Sequence, residues 1–203
     1  MPQRIGEIIE ASTTGFVSGA YELLAAPSFG TLVRAQSRDP GIVVYGLVYD
    51  IRTGSREPGG RAAVRGRSYT GRELFDDEIY REHPDLAEVL QTEFTAITVG
   101  FGDGSVITHH LPAQPPPVHY SVYGCTVAEL CRFSDAHAFY RTVLAAPQVP
   151  ADELIAATVR AAAAVQPDPA GYRVRAGRTL AALLADDHGR LRAILQRIAP
   201  PSR

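Results

Sequence analysis

The residues able to do chemistry in this chain are few and widely spread. His109-His110 is the densest histidine site. Neighbours on a strand point to opposite faces, so this pair cannot clamp one metal without a bulge. Zinc sites ask for three or four spaced ligands, and the neighbourhood does not offer them. Cys125 and Cys131 lie six residues apart, which on a helix leaves them about 120° from a shared face. An intrahelical disulfide is therefore excluded, and buried, reduced thiols are expected. A nucleophile built from Cys125 with His119 or His137 would need an activating group nearby, and the local sequence supplies none. Gly100-Phe101-Gly102-Asp103-Gly104 matches half of a dinucleotide-binding fingerprint, but a strand follows it instead of a helix. It reads as a hairpin turn. Asp76, Asp77 and Glu78 can bind a divalent cation or complement a helix N-terminus, and the second use is the simpler one. Asp186-Asp187, a carboxylate pair inside an otherwise apolar helical run, is the site to inspect first.

The basic residues carry more information. All twenty are arginine and none is lysine. Arginine-favouring codon usage accounts for such a composition. The chemical consequence holds whatever its origin: no P-loop lysine, Schiff-base lysine or pyridoxal anchor exists in this chain. Neither binding nor turnover of nucleoside triphosphates is expected, nor is any catalytic, cofactor-binding or metal-ligating set. The arginines are also unevenly placed. Residues 52–72 hold Arg52, Arg56, Arg61, Arg65, Arg67 and Arg72 against the single acid Glu57. Residues 73–93 reverse this, with eight acids, among them Asp76, Asp77 and Glu78, facing only Arg81. The two blocks can pair within one subunit or across a subunit boundary. These nine residues, the six arginines with Asp76, Asp77 and Glu78, are the candidate interaction residues.

The elements that must position them begin at Arg4. Four apolar-alternating runs fill residues 4–50, broken at Thr13-Thr14-Gly15, Ala26-Pro27-Ser28 and Arg38-Asp39-Pro40-Gly41. Ile5, Ile8, Phe16, Val17, Tyr21, Leu32, Val33, Ile42, Val44, Tyr45, Leu47 and Tyr49 are the side chains a half-buried sheet favours. Short strands joined by tight turns must close or leave edges that aggregate, so a small barrel is expected. A Gly/Arg/Ser-rich loop follows over 52–72. A helical insertion over about 74–91 comes next, with Leu86, Val89 and Leu90 as its packing face. Residues 94–101 and 106–111 complete about six strands. The run Pro115-Pro116-Pro117 is a stiff spacer.

Beyond it the chain reads as helical. Thr126 with Glu129 forms a capping box, residues 136–144 make a second helix, and Pro150 opens a third that buries Leu154, Thr158, Ala161 and Val165. The last helix, 178–198, places Leu180, Leu183, Leu184, Leu191, Ile194, Leu195 and Ile198 on one side, with a kink near Asp186, Asp187 and Gly189. The expected architecture is α+β. A small six-stranded antiparallel β-barrel over 1–111 is followed by a linker at 112–118 and an α-helical domain over 119–203.

Several of these runs carry a family resemblance. Ile5-Gly6-Glu7, Ser12-Thr13-Thr14 before Phe16, Ala20-Tyr21-Glu22, Phe29-Gly30-Thr31-Leu32-Val33 and Tyr45-Gly46-Leu47-Val48-Tyr49 resemble the HAS barrel. That six-stranded barrel is shared by the HerA helicase and by the catalytic and non-catalytic subunits of rotary ATP synthase. Thr92-Glu93-Phe94, Pro115-Pro116-Pro117-Val118-His119, Tyr123-Gly124-Cys125 and Asp186-Asp187-His188-Gly189-Arg190-Leu191 resemble stand-alone HAS-barrel proteins of bacteria. The likeness to HerA covers the barrel alone. It implies a protein that oligomerises or docks through its barrel, since the barrel crowns a ring in both better-known relatives and in HerA contacts a partner nuclease.

Composition sets outer bounds. At 45% hydrophobic content the chain is an ordinary globule, expected to bury roughly 70% of its unfolded surface. No run approaches the ~20 apolar residues of a membrane span, and Met1-Pro2-Gln3-Arg4 leads into a strand without an apolar signal core, so a cytoplasmic location is expected. Three functions are consistent with these readings. The first is a non-catalytic assembly module whose partner is itself, as a homo-oligomer or ring, or another protein. The second is a nucleic-acid-associated protein using the arginine loop, against which a net charge of −2 and the acidic neighbour argue for any broad footprint. The third is a small-molecule-binding protein or enzyme with a pocket at the barrel–helix junction.

Overall fold

The computed structural model describes residues 3–103 and 105–199; Gly104 of the expected turn and the opening Met1-Pro2 lie outside the described residues. Strands β1 (Arg4–Ser12), β2 (Gly15–Ala20), β3 (Leu32–Gln36), β4 (Val43–Ser55) and β5 (Leu90–Gly102) follow the alternating runs. Between β4 and β5 lie two short helices, α1 (Asp77–Glu82) and α2 (Leu86–Val89). Then come β6 (Ile107–Thr108), β7 (Ser121–Gly124) and helices α3 (Val127–Ser134), α4 (Tyr140–Leu144), α5 (Ala151–Val165), α6 (Pro169–Leu183) and α7 (His188–Ile198).

The strands run β2-β1-β7-β3-β4-β5, and β2 pairs with β5 as well, so six antiparallel strands close into a barrel. Closure abolishes the free edges that short strands would otherwise expose. The sixth stave differs from the expected one. Residues 106–111 yield only the two-residue β6, which pairs with β5 alone. The barrel is closed instead by β7, which lies beyond the proline run and pairs with both β1 and β3. The proline stretch is no free spacer either, because Pro112 and Pro116 are buried. Backbone bonds from Ile8 N–H to the Tyr120 carbonyl and from His119 N–H to the Ile8 carbonyl begin the β7 pairing before the strand itself starts. The boundary expected at 112–118 therefore does not divide strands from helices.

Ile8, Phe16, Val33, Ala35, Val48, Phe94, Ala96 and Val122 fill the barrel. Gly46 is what lets them fit: a Cβ there would lie 2.9 Å from the Phe16 ring and the Ala96 Cβ. Residues 43–48 of β4 are all buried, which a strand with one wet face cannot be. Its outer face, with Leu32, Ile97 and Val99, packs against Phe133, Phe139, Leu154, Ile155 and Val159 of the helical region in one continuous core. At the seam Thr158 Oγ1 donates to the Gly30 carbonyl at 3.2 Å, both atoms buried. Gly30 takes φ 82, and a side chain there would meet the Ala157 Cβ at 2.7 Å.

The helices follow their caps. Thr126 and Glu129 form the expected reciprocal capping box of α3. In α5, Leu154 and Thr158 are buried as expected, but Ala161 is exposed and Val165 half-buried; Ile155, Val159 and Ala162 complete the face. The helix expected over 136–144 starts only at Tyr140, because His137 has φ 52, outside the helical region. The single helix expected over 178–198 is two. Asp187 accepts from Arg190 N–H and starts α7 afresh, so the chain breaks there rather than bending. Among the described residues no helix is long and apolar enough to cross a membrane.

The barrel–helix seam contains two histidines without a compensating carboxylate bond. The His109 ring lies 4.6 Å from Phe133 and 5.8 Å from Phe139, and His137 lies 5.0 Å from Tyr172 and 5.4 Å from Tyr140. Burial holds both imidazoles below the ordinary histidine range. His110 adds to the effect on His109, while Arg175 and His109 add to that on His137 against the opposing pull of Asp135. The unfolded chain therefore binds more protons than the folded one as pH falls below ~6.5. Stability is fully present above that value, declines as pH drops toward the folded values, and levels off beneath them. Thermal melts between pH 7.5 and pH 5 are expected to show a midpoint falling by several degrees. A His109→Phe, His137→Asn variant should show a flatter profile; an equally steep one assigns the acid sensitivity elsewhere.

Candidate interaction surface

Between β4 and β5 the chain leaves the barrel as an arm, residues 56–89, that carries most of the charged residues singled out in the sequence. Arg56 closes the base of this arm. Its backbone N–H donates to the Val89 carbonyl at 2.9 Å, and its guanidinium donates to the carbonyls of Leu90 at 3.0 Å and Ala87 at 3.1 Å. A cation on the last carbonyls of α2 satisfies acceptors that the helix leaves unpaired. Further out, Gly71 at φ 85 permits the turn in which Ser68 N–H meets the Arg72 carbonyl, and Arg67 pairs with Glu73 across it. Leu74, Leu86, Leu90 and His83 are the buried side chains around this arm. His83 is 2% exposed, with Nε2 3.3 Å from the Arg67 carbonyl and no partner at Nδ1.

The charge blocks meet only in part. Arg65 reaches Asp85 at 3.5 Å, and Arg72 reaches Glu78 at 3.4 Å and Glu82 at 4.0 Å. These half-exposed pairs contribute about 0–1 kcal/mol each. Arg52 binds Asp50 on its own strand at 2.8 Å. Among the described residues Arg61 and Arg67 have no carboxylate within ion-pair distance, and Asp76 and Asp77 have no cation.

What sequence reasoning missed on the arm is its apolar surface. Val64 is 97% exposed, Tyr69 84% and Phe75 64%, and Tyr80 and Val89 are exposed with them. Helix α1 buries none of its residues. The signal was present as Val64 and Tyr69 inside a Gly/Arg/Ser stretch that gives them no alternating partners. Their isolation from any hydrophobic pattern left them in a loop without a role.

The remaining candidates resolve into structure. His109 and His110 lie just past the end of β6 and not on a strand, but they still diverge, the first half-buried against aromatic rings and the second exposed. Burial, with the Glu129 charge adding to it, pushes the Cys125 thiol up to about 12, well out of reach of a thiolate. Cys131 Sγ donates to the Val165 carbonyl, and both cysteines are free. His119 Nδ1 lies 2.7 Å from Glu7. Asp103 is held at about 2 by the backbone N–H of Val106, then by the Ser105 hydroxyl and N–H, and it follows the end of β5, so Gly100-Phe101-Gly102 is strand paired with β6 and not a phosphate-binding loop. Asp187 is a helix cap. At the barrel–helix junction an open cleft of about 300 Å³ runs past Glu10, Ser12, Thr14, Tyr49, Thr95 and Gln148. Among the described residues no three His, Cys, Asp or Glu side chains converge in metal-binding geometry.

The family model of the HAS barrel domain matches residues 5–107, from β1 through the arm to the start of β6. No curated protein matches the chain.

Proposed function

Because this chain belongs to the HAS barrel domain family, we propose that it is a non-catalytic docking module that engages a protein partner, a second copy of itself or another chain, through the acidic side of its arm. The observation that carries this reading is α1, a six-residue helix with no buried residue, flanked by exposed Phe75 and carrying exposed Tyr80. Isolated helices below ~12–15 residues are marginal in water, so a short one with its apolar side chains in solvent gains most from a covering surface. Unpaired Asp76 and Asp77 beside Phe75 give that surface a polar, charged rim, which steers association and fixes its register. If the partner is a second copy, a head-to-tail contact of this kind closes into a ring wherever its rotation permits. The non-catalytic part is supported by the lysine-free sequence and by a Cys125 thiol too weakly acidic to act as a nucleophile.

Light scattering across a range of concentrations, with capture of partners from native lysate, tests the proposal. The wild type is expected to run heavier than one chain or to retain a specific protein. A Phe75→Ser, Tyr80→Ser variant is expected to lose that mass or partner while its melting temperature stays unchanged. A wild type that is monomeric throughout and captures nothing the variant releases would overturn it.

A further inference from the structure

Acids in residues 73–93 argue against a broad polyanion footprint, but the structure leaves a narrow one open on the other side of the arm. Residues 58–72 contain Arg61, Arg65, Arg67 and Arg72 and no acid. The acidic segment engages Arg65 and Arg72 and leaves Arg61 and Arg67 without a carboxylate partner among the described residues. Tyr69 lies two residues beyond Arg67 on the same loop and is 84% exposed, while Arg61 lines the neighbouring cleft, which shares Arg65 with the Tyr69 depression. Tyr69 is not a loosely hung side chain. The preceding Ser68 is buried, bonds the Arg72 carbonyl through its N–H and shares a 2.9 Å bond with Thr70 Oγ1. The Tyr69 ring meets the buried His83 ring edge-on at 5.5 Å, which places the ring while leaving most of it in solvent. Val64, Arg65, Arg67, Ser68, Tyr69 and His83 line an open depression of about 460 Å³.

We propose that this loop is a binding site for single-stranded nucleic acid, with a base stacked on Tyr69 and flanking phosphates held by Arg67 and Arg61. The chemistry distinguishes it from neighbouring classes. An acidic peptide would use the arginines but has no need of an uncovered aromatic ring, whereas every base has a face to stack on one. A duplex asks for a helix or a two-stranded ribbon to enter its groove, and this loop offers neither. Two free cations beside acids set the strength: binding is local, weak and salt-sensitive rather than spread over the surface. Glu73, across the backbone bridge from Arg67, lies where it opposes an incoming phosphate.

Fluorescence anisotropy of the full chain with a short labelled oligothymidylate tests this, with a duplex of equal length and polyglutamate as competitors. Saturable binding is expected, with a log–log salt slope of about −1.4 for two phosphate contacts. Tyr69→Ala is expected to weaken binding ~5- to 150-fold, the range for losing one stacked base, while Tyr69→Phe retains it. Arg61→Gln with Arg67→Gln should flatten the salt slope, and Glu73→Gln should tighten binding. All of these positions except Glu73 lie on the loop, so an unchanged melting temperature confirms that the fold is intact. No saturable binding, an affinity indifferent to Tyr69→Ala, or equal displacement by polyglutamate would overturn the proposal, the last by making the loop a surface for acidic protein. Phe75 and Tyr80 play no part in this site, so its outcome is independent of the docking test.

Discussion

A chain ending at Leu111 is expected to have no barrel at all. The cut removes β7, whose Val122 is fully buried inside the barrel and opposes Gly6 on β1 and Ala35 on β3. Two strand edges open at once. It also removes the helices that cover Leu32, Tyr45, Leu47, Ile97 and Val99 on the outer face. Burying a large apolar side chain contributes ~1.5–3 kcal/mol, so uncovering five of them is comparable to a whole domain's net stability of ~5–15 kcal/mol. A far-UV spectrum without native strand character, together with no cooperative urea transition, is the expected result. Ending the chain at Thr126 instead restores β7 but not the cover, and is expected to fail as well. Cooperative unfolding of the Thr126 fragment would show that the barrel sustains itself without the helices, and of the Leu111 fragment that residues 1–111 form an independent unit.

The second large effect is expected from Phe133→Ala. Phe133 is fully buried where three parts of the chain meet. Its ring centre lies 5.3 Å from Tyr45 on β4, 4.6 Å from His109 after β6 and 5.1 Å from Phe139 ahead of α4. None of these neighbours can collapse into the space, since each is anchored on a different element. Truncation should therefore cost about 3–5 kcal/mol, the upper range for a large core aromatic. Phe133→Leu keeps part of the volume and should cost less. Val127→Ala, at an exposed position on the same helix, serves as the control and should stay within ~0.5 kcal/mol. Urea midpoints at pH 7.5 give all three values. A Phe133→Ala cost near that of Val127→Ala would mean the seam is loosely packed.

Much of this fold was legible because local pattern and global role agree. Strands β1 to β5 alternate or run apolar, and Thr126 with Glu129 announces α3. The closing strand was not legible, for a physical reason. Ser121, Val122, Tyr123 and Gly124 are four residues with one fully buried side chain, too short for a period to show, and they follow a proline run that reads as a boundary. Gly100 to Leu111 contains the stronger hairpin pattern and attracts the assignment that belongs to β7. Asp168-Pro169 could have located the start of α6, since an acid cap followed by proline is a helix-opening signal; without it α6 and α7 merge into one long helix. The arm shows the reverse case. Its charges were conspicuous and its pairing partly inferable, but exposure of Val64, Tyr69 and Phe75 is a property of the tertiary arrangement. A sequence shows that a residue is apolar, not that nothing covers it.

Placing the closing strand last also has a consequence for how the chain is made. β1 and β3 are complete by Gln36, whereas β7, which lies between them, ends at Gly124. At ~5–20 residues per second, a ribosome takes roughly 4 to 18 seconds to cover that interval. Throughout it the nascent chain carries the β1 and β3 segments without the strand that pairs with both. An extended segment from another chain can pair with either in place of β7. Synthesis speed through residues 37–124 and chaperone occupancy during it therefore bear on the yield of native protein as directly as any contact in the finished barrel.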